Sequence, residues 1–251
     1  MSAPQPRLLI VDDEVDTCEN LRDILSDLGY LVDVAHDGAS ALELVKQRGY
    51  DVALLDLRMP GMDGLELYRR IKQISAGTVA VVVTAYAASD TAKSVLEAGA
   101  WKLVAKPVNI PQIVGLVDEA LSSPLVLLVD DDSDLCDSLW DVFREHRFRV
   151  HLAHDVLGAK DALNRHEFQV VLLDLKLPGD DGAALLEEIR RSNKKARTLV
   201  ITGYPAEMEQ RVERALTSGA EAVCYKPFNV PVLLETVKRL ATRDTAAEQA
   251  P

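Results

Sequence analysis

Short apolar runs, each closed by an acidic or turn-forming residue, alternate along this chain with longer segments whose apolar residues recur at helical spacing. That alternation is the pattern of βαβ units and a parallel sheet, because strands buried on both faces read as continuous apolar runs. In the first half the runs begin at Leu8 (LLIV), Tyr30 (YLVDVA), Asp51 (DVALL), Thr78 (TVAVVV) and Lys102 (KLVA). In the second they begin near Leu125, Phe148, Gln169, Thr198 and Ala222, so each half is expected to hold five strands. After strand one, Cys18, Leu21, Leu25 and Leu28 share one helical face, as do Cys136, Leu139 and Phe143, and each stripe is expected to lie against a sheet. Closing helices are predicted from about Ile110 to Leu121 and from about Val230 to Leu240. Right-handed crossovers would make each half a three-layer α/β sandwich.

The two halves are copies of one unit. LLIVDDE at Leu8 recurs as LLVDDDS at Leu127, and Asp12, Asp13, Asp56 and Thr84 recur as Asp130, Asp131, Asp174 and Thr202 at a constant offset of 118. Lys106-Pro107 recurs as Lys226-Pro227, offset by 120. The sequence thus predicts one domain over 1–122, a second over 123–243, and a small, polar, disordered tail over 244–251. A chain of 251 residues suits two domains of ordinary size. The connection at Ser122-Ser123-Pro124 is too short for free tumbling.

Hydrophobic content of 48% with 27% charged residues is that of a soluble globular protein. No apolar run approaches the roughly 20 residues of a membrane span, and MSAPQPR lacks the apolar core of a secretory signal, so a cytoplasmic location is expected. The net charge is -12, with both halves acidic, which disfavours direct binding to nucleic acid. Of three cysteines, Cys18 and Cys136 occupy matching positions, which predicts small core-facing residues rather than a disulfide or a metal site.

The repeated polar residues sit where strands end, which is where parallel α/β sheets keep their chemistry. Asp12-Asp13 closes strand one and Asp56 closes strand three, so three carboxylates converge on one sheet edge, at a cost unless a counterion relieves them. A hard divalent cation such as Mg2+ suits a small carboxylate cluster that leaves room for water and phosphoryl oxygens. Thr84 offers a hydroxyl and Lys106 an ammonium to an anion attached nearby. A carboxylate can act as a nucleophile toward phosphorus, given positive charge around it. Asp56 is the candidate because it stands alone, whereas Asp12 and Asp13 are paired to hold metal. Asp174, Thr202 and Lys226 repeat the set, and the small Ala85 and Gly203 leave the approach open.

At this point the chain resembles the receiver domains of two-component response regulators, twice over. LLIVDDE, LLDLRMPGMDG, VVVTA and AKP carry the first resemblance, and LLVDDDS, LLDLKLPGDDG, VITG and YKP the second, over about 240 residues. The resemblance implies two flavodoxin-like (βα)5 folds with strand order 2-1-3-4-5. It implies phosphoryl transfer from a sensor histidine kinase or histidine phosphotransfer protein to Asp56 and Asp174. By the same match Asp13 and Asp131 would ligate Mg2+ directly, Asp12 and Asp130 largely through water, and the carbonyls of Arg58 and Lys176 would complete the protein's share. The resemblance further places Arg58 with Tyr86, and Lys176 with Tyr204, at positions that tune acyl phosphate lifetime, here toward slow dephosphorylation.

Other readings fit less of the chain. Asp130, Asp132 and Asp134 mimic the start of a calcium-binding loop, but Leu135 stands where that loop needs glycine. Asp130-Asp131-Asp132 fits the Asp-x-Asp of haloacid dehalogenase-type phosphatases, whereas Asp12-Asp13-Glu14 does not. His36 and His154 are expected to be structural or solvated. The chain departs from receivers at Leu103 and Val223, where an aromatic usually stands, so output through that face is expected to differ; Val108 replaces a phenylalanine that Phe228 keeps. The leading expectation is a phosphoacceptor regulator with no enzymatic role beyond autocatalytic phosphotransfer and autodephosphorylation, acting on a downstream protein and able to homodimerise. The alternatives are that one receiver is a docking or dimerisation module that does not cycle, or that the chain is part of a larger hybrid kinase or multidomain regulator.

Overall fold

The computed structural model describes residues 5–85, 87, 90–177, 182–193, 195–203 and 205–242. The chain divides into two compact units, Met1–Ser123 and Pro124–Pro251. The proposed tail and the two tyrosines, Tyr86 and Tyr204, lie outside the described residues.

In the first unit five strands alternate with five helices: β1 Arg7–Val11, α1 Val15–Asp27, β2 Leu31–Ala35, α2 Gly38–Gln47, β3 Val52–Asp56, α3 Gly64–Ile74, β4 Val79–Thr84, α4 Asp90–Glu97, β5 Lys102–Ala105 and α5 Ile110–Ser122. All pairings are parallel, in the order β2-β1-β3-β4-β5. The second unit repeats this as β6 Leu125–Val129, α6 Ser133–Glu145, β7 Arg149–Ala153, α7 Val156–Arg165, β8 Val170–Asp174, α8 Gly182–Ser192, β9 Arg197–Thr202, α9 Pro205–Thr217, β10 Ala222–Tyr225 and α10 Val230–Thr242. Its order is β7-β6-β8-β9-β10, the same topology.

The period-two pleat explains the layers. In β1, Leu9 and Val11 join the core under α2, α3 and α4, while Leu8 and Ile10 join the core under α1 and α5. Central strands are buried along their length on both faces, which is why they read as unbroken apolar runs. Cys18, Leu21 and Leu25 face the sheet as expected, but Leu28 does not and is 55% exposed. The helix stops at Asp27, and Gly29 takes φ +94°, turning the chain so that Tyr30 N–H donates to the Leu25 carbonyl. Leu28 is the C-cap, one residue past the helix and just before that reversal, so the helical period no longer holds it to the sheet. In the second unit Cys136, Leu139 and Phe143 are all buried.

Aspartates start several helices. Asp37, Asp63, Asp132 and Asp155 each accept a hydrogen bond from a backbone N–H in the first turn, at 2.7 to 3.0 Å. Asp132 is thereby accounted for as a helix cap. Among the described residues no helix is long and apolar enough to cross a membrane.

Candidate functional site

Parallel strands placed side by side end on one edge, and the acidic residues end with them. Val11 of β1 pairs in register with Leu55 of β3, so the next residues of each strand, Asp12 and Asp56, are neighbours. Thr84 and Ala105 pair across β4 and β5, and the Lys106 N–H then donates to the Thr84 carbonyl at 2.9 Å, which fixes the lysine beside the threonine. Carboxylate oxygens of Asp12, Asp13 and Asp56 lie within 4.8 Å of one another, as do those of Asp130, Asp131 and Asp174. In both sets the first and third carboxylates are buried and the middle one is exposed.

The ammonium of each lysine reaches into its cluster. Lys106 Nζ donates to Asp12 Oδ2 at 2.6 Å and lies 3.4 Å from Asp56 Oδ2. Lys226 Nζ donates to both Asp130 and Asp174, at 2.6 and 2.7 Å. The free oxygens of the outer carboxylates are anchored to the backbone: Asp12 Oδ1 accepts from Glu14 N–H and Asp130 Oδ1 from Asp132 N–H, each at 3.0 Å. Asp56 Oδ1 accepts from Leu57 N–H at 2.7 Å, whereas Asp174 Oδ1 accepts from Lys176 N–H at 2.8 Å. Arg58 and Lys176 are exposed at the mouths of the two sites.

Burial sets the electrostatics. It pushes the Asp56 and Asp130 carboxyls above their ordinary range, more than the neighbouring lysines pull them down. Burial opposes the ammonium of Lys106 and Lys226 too, but hydrogen bonds and charge from the carboxylates outweigh it and hold both lysines above their usual value. Each site therefore concentrates negative charge that one lysine only partly balances. Three oxygen donors in close reach fit a hard divalent cation such as Mg2+. Thr202 Oγ1 is fully buried with no hydrogen-bond partner among the described residues, at the edge of the second cluster. Such a group is costly unless a ligand satisfies it.

Two supporting contacts recur that sequence reasoning did not find. The Cys18 thiol donates to the Asp12 carbonyl at 3.3 Å and the Cys136 thiol to the Asp130 carbonyl at 3.4 Å, so these cysteines brace the acidic strand end from inside the core. His36 Nδ1 lies 3.3 Å, and His154 Nδ1 3.1 Å, from the same two carbonyls. Their shared offset from the aspartates was the available signal. Gly64 is a third case: its N–H donates to the Leu57 carbonyl at 2.9 Å, and a Cβ there would stand 2.2 Å from the Asp56 carbonyl oxygen. The turn motif MPGMDG thus closes back on Asp56 and Leu57, at the end of β3. A cavity of about 360 Å3 opens beside it, lined by Leu57, Arg58, Met59, Pro60, Asp63 and Thr91. At Gly203 a Cβ would meet nothing within 4 Å among the described residues.

Two such edges, with the same polar set on the same topology, define a pair of phosphoacceptor modules of two-component signalling. The chain belongs to the response regulator receiver domain family, whose model matches residues 8–118 and again 126–238. A response regulator receiver protein from Anaeromyxobacter sp. (strain Fw109-5) is 33% identical over 234 residues, covering 93% of this chain and 94% of that protein. Sporulation initiation phosphotransferase F of Bacillus subtilis (strain 168) is 35% identical over 115 residues, 46% of this chain and 93% of that protein. Among solved structures, a CheY-like receiver domain protein from Methanospirillum hungatei JF-1 is 27% identical, covering 51% of this chain and all of that one, with a TM-score of 0.47.

Proposed function

We propose that the two receivers, over 1–122 and 123–243, each accept a phosphoryl group, the first on Asp56 and the second on Asp174. The donor is the phosphohistidine of a sensor histidine kinase or of a histidine phosphotransfer protein. A carboxylate oxygen attacks phosphorus as the phosphorus–nitrogen bond breaks, leaving the imidazole of the donor and an acyl phosphate on this chain. Asp13 and Asp131 would hold Mg2+ directly, with Asp12 and Asp130 acting through water, the acceptor aspartates as further ligands and the carbonyls of Arg58 and Lys176 completing the set. Bound there, the cation neutralises charge on the transferring phosphoryl oxygens. Lys106 and Lys226 pair with the same oxygens once released from their carboxylates, and the hydroxyls of Thr84 and Thr202 donate to them.

The observation that carries this reading is the repetition of one complete set: three carboxylates in mutual reach, a buried threonine and an ammonium, twice on one chain. The name of the Bacillus relative, a phosphotransferase, is in keeping with a place in a phosphorelay. Cytoplasmic residence and signalling to a downstream protein through surface contacts belong to the same reading. Incubation of the chain with Mg2+ and a small acyl phosphate, followed by intact mass and peptide mapping, tests it. Two added phosphoryl groups are expected on the wild type, one on Asp56→Asn and one on Asp174→Asn. Modification elsewhere, or none with the phosphodonor kinase and Mg2+ both present, overturns the assignment, and modification of one site only makes the other unit a docking module.

A further inference from the structure

The two copies differ where the second strand of each unit meets the helix behind it. In the first unit Asp33 of β2 accepts a hydrogen bond from Tyr50 Oη at 2.9 Å and pairs with Arg7 at 3.3 Å and Arg48 at 3.4 Å. At the offset of 118, Asp33, Arg48 and Tyr50 become His151, His166 and Phe168, and Arg7 becomes Leu125. A knot of opposite charges is replaced by a ring cluster. The imidazole centroids of His151 and His166 lie 4.4 Å apart, tilted by 41°, and His151 meets the edge of Phe168 at 5.6 Å.

At His151 the setting disfavours a proton. Among the described residues His151 Nε2 is buried without a hydrogen-bond partner, although the residue as a whole keeps some exposure. Burial, then His166, then Arg149 two residues away on the same strand face, hold its protonation far below the usual histidine range. β6 offers only apolar side chains beside it. Among the charged residues of α7 are Lys160, Asp161 and Arg165, of which the last two pair with each other at exposed positions. α6 packs against the opposite face of β7, where Val150 and Leu152 alternate with His151. An acidic neighbour able to stabilise an imidazolium, the role Asp33 could play in the first unit, is replaced here by the histidine itself.

We propose that the β7 edge of the second receiver is an acid-sensitive element, opened by proton uptake at His151 where it stacks on His166, while the first receiver, tied at the same place by the Asp33 ion pairs, stays closed. An opened form takes up the proton near the ordinary histidine range, and the closed form refuses it. Stability is therefore fully present above about pH 6.5 and is lost as pH falls below it. The second receiver's chemistry follows: Asp130 N–H donates to the Ala153 carbonyl at the end of β7, so an open edge frees the strand end that carries the acidic pair. That last consequence rests on the phosphoacceptor reading; the opening itself does not.

Hydrogen exchange read by mass spectrometry on the unphosphorylated full chain tests the opening, comparing pH 7.5 with pH 5.5 after correction for the intrinsic pH dependence of exchange. About tenfold loss of protection is expected over β7 from one histidine of ordinary pKa in the open form, with β2 unchanged. His36 and His154 occupy matching places and cancel in the comparison. The triple change His151→Asp, His166→Arg, Phe168→Tyr, which rebuilds most of the first unit's knot, and the single change His151→Val should each abolish the loss. Should the triple variant not fold, the single one decides. Unchanged protection at β7 in the wild type, equal loss at β2 and β7, or a loss that survives in His151→Val overturns the proposal.

Discussion

Replacing Gly64 by alanine should disable the first phosphoacceptor while leaving the second intact. The added Cβ would lie 2.2 Å from the carbonyl oxygen of Asp56 and 2.9 Å from Leu57 Cα, and both obstacles are backbone, which cannot swing aside. Relief to 3.0 Å, about the shortest distance real Cβ atoms keep, requires the end of β3 and the start of α3 to part by about 0.8 Å. Overpacking of that size costs about 1–3 kcal/mol of stability. Misplacing a reacting group by about 1 Å can cost about 100-fold in rate, so phosphoryl uptake at Asp56 should fall by roughly that factor. Asp174 on the same chain is the internal standard, followed by peptide mapping over time with a small acyl phosphate and Mg2+. Gly61→Ala separates the causes. Gly61 has φ +82° but open space around its Cβ, so alanine there brings only the strain of a left-handed residue, about 1–2 kcal/mol, and Asp56 should react within a few-fold of wild type. Wild-type uptake at Asp56 in Gly64→Ala would refute the clash argument, and an equal defect in Gly61→Ala would assign the effect to the turn instead.

Lys226→Ala leaves two buried carboxylates facing each other, and should destabilise the second unit by about 3 kcal/mol in denaturant titrations without metal, with much of the loss restored by millimolar Mg2+. Lys106→Ala should cost less, because Lys106 stands 3.4 Å from Asp56 where Lys226 stands 2.7 Å from Asp174; a loss in Lys226→Ala that Mg2+ leaves untouched would count against the clusters as cation sites. Burial first, then nearby aspartates, raise the thiol of Cys18 to about 11 and that of Cys136 to about 12. An alkylating reagent at pH 8 should therefore modify the half-buried Cys224 alone in the native protein, and early modification of Cys18 or Cys136 by mass mapping would contradict the buried bracing contacts described for them.

The acidic edge was legible in the sequence because a parallel sheet leaves little choice: residues that end neighbouring strands must be neighbours, so Asp12, Asp56, Thr84 and Lys106 could be placed from the apolar runs before them. Helix faces were legible for the same reason, as far as the helix lasts. Leu28 shows the limit, since the apolar period runs on to it although the helix stops at Asp27 and Gly29 then reverses the chain. Contacts between residues of unrelated sequence position were out of reach. No pattern in LLDLRMPGMDG says that the Gly64 Cα faces the Asp56 carbonyl, and the Asp33 knot joins three residues that each look like ordinary surface charges or a core aromatic. Only comparison of the copies marks the place, through the change from Asp, Arg and Tyr to His, His and Phe.

Backbone hydrogen bonds tie the polar set of each receiver to its strand ends: Asp12 N–H to Ala35, Asp130 N–H to Ala153, Lys106 N–H to Thr84, Lys226 N–H to Thr202. None of these anchors uses the outward side of a helix. The exposed faces of the described helices carry none of these anchors, so their residues can change while the anchors stay. A duplicated receiver of this build keeps one acidic edge in its frame and leaves its skin free to vary, so two copies can diverge outwardly while each retains the same edge.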